Sequence, residues 1–122
     1  MARRSLNFKM LEDVSMSLDQ TSTKTNVESV DEASILVNWY GGATPVGTIT
    51  IEASNSPDSD FASGVEYWEV LDFSQTIDVT GNSGSHVIQL NSLPFKFIRF
   101  KYNRTSGLGT LTAHINGNSI GA

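Results

Sequence analysis

Two histidines, His86 and His114, are the only side chains of this 122-residue sequence that titrate near neutral pH, and the sequence contains no cysteine. Thiol nucleophiles and thiolate metal sites are thereby excluded. Both histidines fall within alternating apolar and polar stretches, and neither has the spacing of a metal site or a metalloprotease helix. On that alternation His114 points away from the apolar face, so a solvated surface histidine is the simpler account of each. A serine nucleophile would need an activating base and a Gly-x-Ser-x-Gly elbow, and no such elbow occurs. Asn55, Asp58 and Asp60 could offer oxygens to calcium, but they lack the spaced carboxylates and closing Glu of a calcium loop and read more simply as turn residues. Gly41-Gly42, Gly81 to Gly84 and Gly107-Leu108-Gly109 read as hairpin turns, since no Lys-Ser/Thr follows to make a phosphate cradle. The expectation is a binding protein rather than an enzyme, with no cofactor and no metal.

Binding chemistry is better represented. Trp39, Tyr40, Tyr67 and Trp68 are candidate surface aromatics, with Phe95 beside them, and could stack on sugar rings. Adjacent strand residues point to opposite faces, so one of each pair should lie outside or at an interface, and core filling with subunit contact explains the pairs more simply than glycan binding. The run from Phe95 to Tyr102 interleaves aromatic with basic side chains, as some single-strand nucleic-acid binders do. A strand with Ile98, Phe100 and Tyr102 inward and Lys96, Arg99 and Lys101 outward gives the same letters, and a net charge of −5 argues against nucleic acid. The charges are segregated: Arg3, Arg4 and Lys9 open the chain, Lys96, Arg99, Lys101 and Arg104 lie near its end, and between them Lys24 alone faces all thirteen carboxylates. Such a pattern can steer one copy of a protein onto another.

The elements that must position these residues are strands. Ser, Thr, Asn and Gly number 46, and 39% of the chain is apolar, enough for one core. No apolar run approaches the length of a membrane span or the core of a signal peptide, so synthesis in the cytosol is expected. Leu6, Phe8 and Met10 alternate, as do Val14, Met16 and Leu18. Residues 19 to 33 are polar except for Val27, Val30 and Ala33 and read as loop or weak edge strand. Strands are then predicted at residues 34–40, 48–54, 67–71, 76–79, 86–90, 97–102 and 110–115, separated by turn signals every eight to twelve residues. Gly47-Thr48-Ile49-Thr50-Ile51 and Gly109-Thr110-Leu111-Thr112-Ala113 echo each other and read as two equivalent hairpin strands. The predicted fold is all-β, an antiparallel β-sandwich of about seven or eight strands. Residues 1–33 form an N-terminal arm with edge strands, and residues 34–122 the sandwich, as one compact domain.

Asn38-Trp39, Pro45-Val46-Gly47-Thr48-Ile49-Thr50-Ile51, Ala53-Ser54-Asn55, Trp68-Glu69-Val70-Leu71, Phe95 to Phe100 and Thr105 to Thr112, in that order, resemble a small β-sandwich protein found among bacteriophage structural proteins. The layout is similar to jelly-roll and discoidin-like sandwiches. The likeness spans about residues 34 to 117 and leaves residues 1 to 33 without a counterpart. It implies a virion building block, assembled in the host cytoplasm: a capsid decoration, spike or fibre-base subunit that binds other virion proteins and copies of itself. On that expectation Arg3, Arg4, Leu6, Phe8, Lys96, Arg99 and Lys101 are candidate assembly contacts, and removing residues 1 to 10 should leave a folded domain that no longer incorporates into particles. The alternative is a host-surface or glycan-binding module using the surface aromatics. Neither nucleic acid nor membrane is an expected partner.

Overall fold

A computed structural model describes residues 5–71, 77–90 and 93–119. Arg3 and Arg4 lie outside the described residues. The protein is all-β and antiparallel. Among the described residues the strands are β1 (Ser5–Ser15), β2 (Gln20–Thr21), β3 (Thr25–Asn26), β4 (Glu32–Ser54), β5 (Glu69–Val70), β6 (Ile77–Val79), β7 (Gly84–Leu90) and β8 (Phe97–Asn118), with one short helix, α1 (Asp58–Ser63). Every strand belongs to a single sheet built on the pair β4 and β8, of 23 and 22 residues. The predicted strands at 34–40 and 48–54 are one strand, as are those at 97–102 and 110–115. The glycines between them, expected to close turns, instead bend strands that continue. The stretch at 67–71 keeps only Glu69–Val70 as strand, and residues expected to be loop after Asn55 contain α1.

The bend follows from the register. β4 and β8 pair regularly from Glu32–Asn118 to Tyr40–Thr110 and again from Gly47–Arg104 to Ser54–Phe97. Between these runs two shifts add a residue to β4 and one adds a residue to β8, and such bulges sharpen twist and turn a strand. Each insertion also reverses which side chains face inward. In β4 two insertions cancel, so Ile35, Val37, Ile49 and Ile51 are all buried odd positions. In β8 a single insertion moves the buried set from Ile98, Phe100 and Tyr102 to Leu111, Ala113 and Ile115. One face of the sheet therefore stays inward through both halves. In the β7 half, the order is β1, β8, β4, β7; in the β5 half, β2 and β3 flank β8 while β5 and β6 flank β4.

That face is covered by the sheet itself. A straight 22-residue strand would measure about 70 Å. Yet Asn26 pairs with Phe97 at one end of β8 and Glu32 with Asn118 at the other, and the intervening chain can reach only about 20 Å. β8 must double back, bringing its two ends together at the end of the molecule remote from the bend. A single apolar cluster fills the enclosed space, with Ile35, Val37, Leu111 and Ile115 from one half and Ile51, Ile98, Phe100 and Tyr102 from the other, none exposed to solvent.

The bend is held from both flanks. On the β4 side, Thr44 N–H donates to Asn82 Oδ1 at 2.9 Å and Gly42 N–H to the Asn82 carbonyl at 3.3 Å. On the β8 side, Arg104 N–H donates to Asp19 Oδ1 at 2.7 Å and Met16 N–H to the Gly109 carbonyl at 2.9 Å. Gly107 sits at φ 82°, and a Cβ there would meet the Thr44–Pro45 backbone, so this position of the bend demands glycine. The echoing Gly-Thr segments find their explanation here: each resumes its long strand just past the bend, on opposite halves of the adjacent strands β4 and β8.

Ser5–Ser15 is no free arm. Its residues pair with β8 from Asn118 to Thr110, and Leu6, Met10 and Leu11 enter the core. Leu6, expected at an assembly surface, is buried because its strand supplies one wall of the apolar core.

Candidate functional site

Doubling back collects several irregular segments at one end of the molecule. After Ser54 the chain leaves β4, forms α1 and returns at β5. Pro57 precedes the helix in extended conformation, Asp58 and Asp60 place negative charge in its first turn, and Gly64 ends it at φ 77°. The loop is fixed by its own polar side chains. Ser54 Oγ accepts from Ser56 N–H at 3.1 Å, Ser56 Oγ from Tyr67 N–H at 2.9 Å, and Asn55 Oδ1 from Lys96 N–H at 2.8 Å. These contacts, with the Asp58–Lys96 ion pair at 3.1 Å, account for Asn55 and Asp58, two of the three residues that had suggested a cation site. Among the described residues no three His, Cys, Asp or Glu side chains gather as metal ligands.

One flank of α1 is an alternation of rings and cations. Phe61 meets Phe97 edge-on at 4.9 Å and Trp68 at 5.9 Å. Lys24 Nζ lies 3.6 Å from the centre of the Phe61 ring, and the Arg99 guanidinium lies 4.1 Å above Trp68. Arg99 Nε also donates to Glu52 Oε1 at 2.6 Å. Glu52 breaks the outward pattern of its strand and is 9% exposed, because Arg99 and its cover shield it. These contacts bind the helical loop to the sheet.

The opposite flank is open. A cleft of about 490 Å³ runs between α1 and β5, with Pro57, Leu71 and Phe95 as apolar lining and Asp60, Tyr67 and Glu69 bearing its polar groups. Tyr67 is 74% exposed. Neither Asp60 nor Glu69 is paired with a cation among the described residues, and no Lys, Arg or His lines the cleft. A second, smaller cleft of about 250 Å³ lies at the free ends of β4 and β8, between Glu32, Ser34, Gln89 and Asn116.

A third feature is the outer face and edge of the β7 half. Val87, Leu36, His114 and Lys9 stand directly opposite one another on β7, β4, β8 and β1, so the row passes from apolar to basic. Val87 and Leu36 are about half exposed. His114 Nε2 lies 2.5 Å from Asn7 Oδ1, whereas His86 is exposed. Tyr40, on the same face nearer the bend, donates to Asp13 Oδ1 at 3.1 Å, and that bond to a carboxylate raises its phenol above the usual tyrosine range. The Tyr102 phenol is raised as well, by burial.

The four candidate aromatics are not brought together. Trp39 is 6% exposed and belongs to the core, since its inward parity places it against Gly84, where a Cβ would stand 2.8 Å from Cε2 of the indole. Trp68 is covered by Arg99 and Phe61. Tyr40 and Tyr67 remain outside, on different halves. Of the candidate assembly contacts, Phe8 is exposed at the β1 edge and Lys101 half-buried, while Lys96 and Arg99 are engaged by Asp58 and Glu52. The segregation of charge along the sequence is thus partly consumed within the fold. The cleft joining Asp60 to Glu69 had no sequence signal, for its residues come from three separate segments.

The architecture defines an all-β antiparallel protein whose distinctive surfaces are a cleft, a sheet face and a strand edge. No family model matches the chain, and no curated protein matches it.

Proposed function

We propose that this protein is a bacteriophage virion structural subunit, a capsid decoration, spike or fibre-base component of discoidin-like two-layer layout that acts by self-association and by binding other virion proteins. The observation that carries the reading is the edge of β7. Among the described residues β7 pairs with β4 alone, in seven consecutive pairs without a register shift. It contains no charged residue and no proline, and it exposes Val87 beside Leu36. Natural sheets blunt free edges with charges, prolines or bulges, because an open ladder of N–H and C=O groups templates another strand. The other edge of this half, β1, is blunted in that way, with two register shifts and with Lys9, Glu12 and Asp13. An edge left regular beside one that is protected fits a strand that adds to a second copy. The motif order that resembles phage structural proteins supplies the particle context.

Light scattering on the purified chain tests the reading. The wild type should be oligomeric, and Val87→Lys, at a site 54% exposed, should be folded and monomeric. The same variant should fail to co-sediment with particles that carry the wild type. A monomeric wild type at high micromolar concentration, or a Val87→Lys variant that associates normally, would contradict the proposal.

A further inference from the structure

The cleft between α1 and β5 has the volume of a ligand site and a composition that narrows the ligand. Its two acidic residues, Asp60 and Glu69, come from different elements, α1 and β5, and line it together with the exposed Tyr67. All three nearby cations are committed on the other flank: Lys24 to Phe61, Lys96 to Asp58, Arg99 to Glu52 and Trp68. The cleft is left with two negative charges, an aromatic face and an apolar lining. Its loop is already fixed by the Ser54, Ser56 and Asn55 hydrogen bonds, so little ordering remains to be done on binding.

We propose that this cleft receives an arginine side chain from a segment of a partner protein. The charge complementarity calls for a cation. A guanidinium is planar, stacks on a tyrosine ring and presents five donors to carboxylates, whereas a lysine ammonium is a strongly hydrated point charge without a flat face. The apolar lining formed by Pro57, Leu71 and Phe95 suits the methylene stem of the arginine. A neutral sugar could also stack on Tyr67, but it would bring no charge to offset Asp60 and Glu69. The inference does not depend on strand addition at β7, which lies on the other half of the sheet.

The experiment titrates the full chain with a capped Ala-Arg-Arg-Ser-Leu peptide, followed by calorimetry and by amide chemical shifts. Comparison peptides carry Lys-Lys or Ala-Ala in place of Arg-Arg, and maltohexaose serves as the neutral sugar. The arginine peptide should bind, and shift the residues of this cleft, at least about ten-fold more tightly than the lysine peptide. Tyr67→Ala and Glu69→Gln should each weaken it by about five-fold, with circular dichroism unchanged because both side chains are exposed. Val87→Lys should leave it unaltered. Absence of arginine-peptide binding, equal binding of the lysine or alanine peptide, indifference to Tyr67→Ala, or displacement of the peptide by maltohexaose would each overturn the proposal.

Discussion

Glu52 shows how a single residue can defeat alternation and still be explained. It lies between Ile51 and Ala53 on β4, where its parity directs it outward, yet it is nearly as buried as they are. What covers it comes from elsewhere in the sequence: Arg99, its partner across the β4–β8 ladder, and Trp68, which stacks on that guanidinium. Removing the arginine would leave a shielded carboxylate without its donor and an indole without its cover. Arg99→Ala should therefore destabilise the protein by about 2–3 kcal/mol in urea denaturation, less than a fully buried pair because the arginine is partly exposed. Removing both charges, as Glu52→Ala with Arg99→Ala, should cost less than the two single losses added together. An Arg99→Ala variant as stable as wild type would show that the pair is solvated. The inward residues Ile51, Phe100 and Leu111 were legible from alternation because burial of one sheet face imposes a period of two, whereas residues 34–40 form a nearly continuous apolar run that leaves the inward set unmarked. Glu52, Trp68 and the cleft were not, since each depends on a neighbour brought by the loop at residues 55–68.

At the scale of elements, the difference between the sequence pattern and the structure lies in what glycine and proline do. Gly41-Gly42, Pro45 and Gly107 have the composition of hairpin turns, and about seven or eight short strands are the natural expectation. The chain instead uses them for bulges, so that β4 and β8 continue past each cluster on the same neighbour. Composition cannot distinguish a strand that reverses from one that bends, because both need left-handed or unpaired backbone; only the register decides. β1 illustrates the opposite case, a segment expected as part of an extended arm that proves structural. Leu6, Met10 and Leu11 are each less than a tenth exposed, and burying such side chains contributes about 1.5–3 kcal/mol apiece. Deleting residues 1 to 10 removes Leu6, Met10 and the pairing of Ser5 to Lys9 with Asn118 to His114 of β8, a loss comparable to the roughly 5–15 kcal/mol by which domains are usually stable. The truncated chain should lose its cooperative thermal transition and expose apolar surface to a hydrophobic dye. A sharp transition near the wild-type temperature would show that β1 is an appendage, as the sequence pattern alone had implied.

At the scale of the whole molecule, the sharing of β4 and β8 by both halves makes separate unfolding of either half costly. A half that opened alone would break two strands at the bend, where Asn82 and Asp19 clamp them, and would uncover the face of the half that remained. The apolar cluster is continuous across both. Cooperativity should therefore extend from one end of the sheet to the other, although the long strands pair residues as far apart as Glu32 and Asn118 and so fold slowly for their size. Trp39, buried in the β7 half, reports on this directly once Trp68 is replaced by phenylalanine. In that background, Ile35→Ala creates a cavity in the same half as the reporter, and Ile51→Ala creates one in the other. Each should cost about 2–5 kcal/mol, the usual range for removing a buried isoleucine side chain. The decisive quantity is the Trp39 fluorescence midpoint in urea. If the sheet unfolds as one unit, Ile51→Ala lowers that midpoint about as much as Ile35→Ala does, with an unchanged slope. If the halves are independent, Ile51→Ala leaves the Trp39 transition in place and adds an earlier one visible only by circular dichroism.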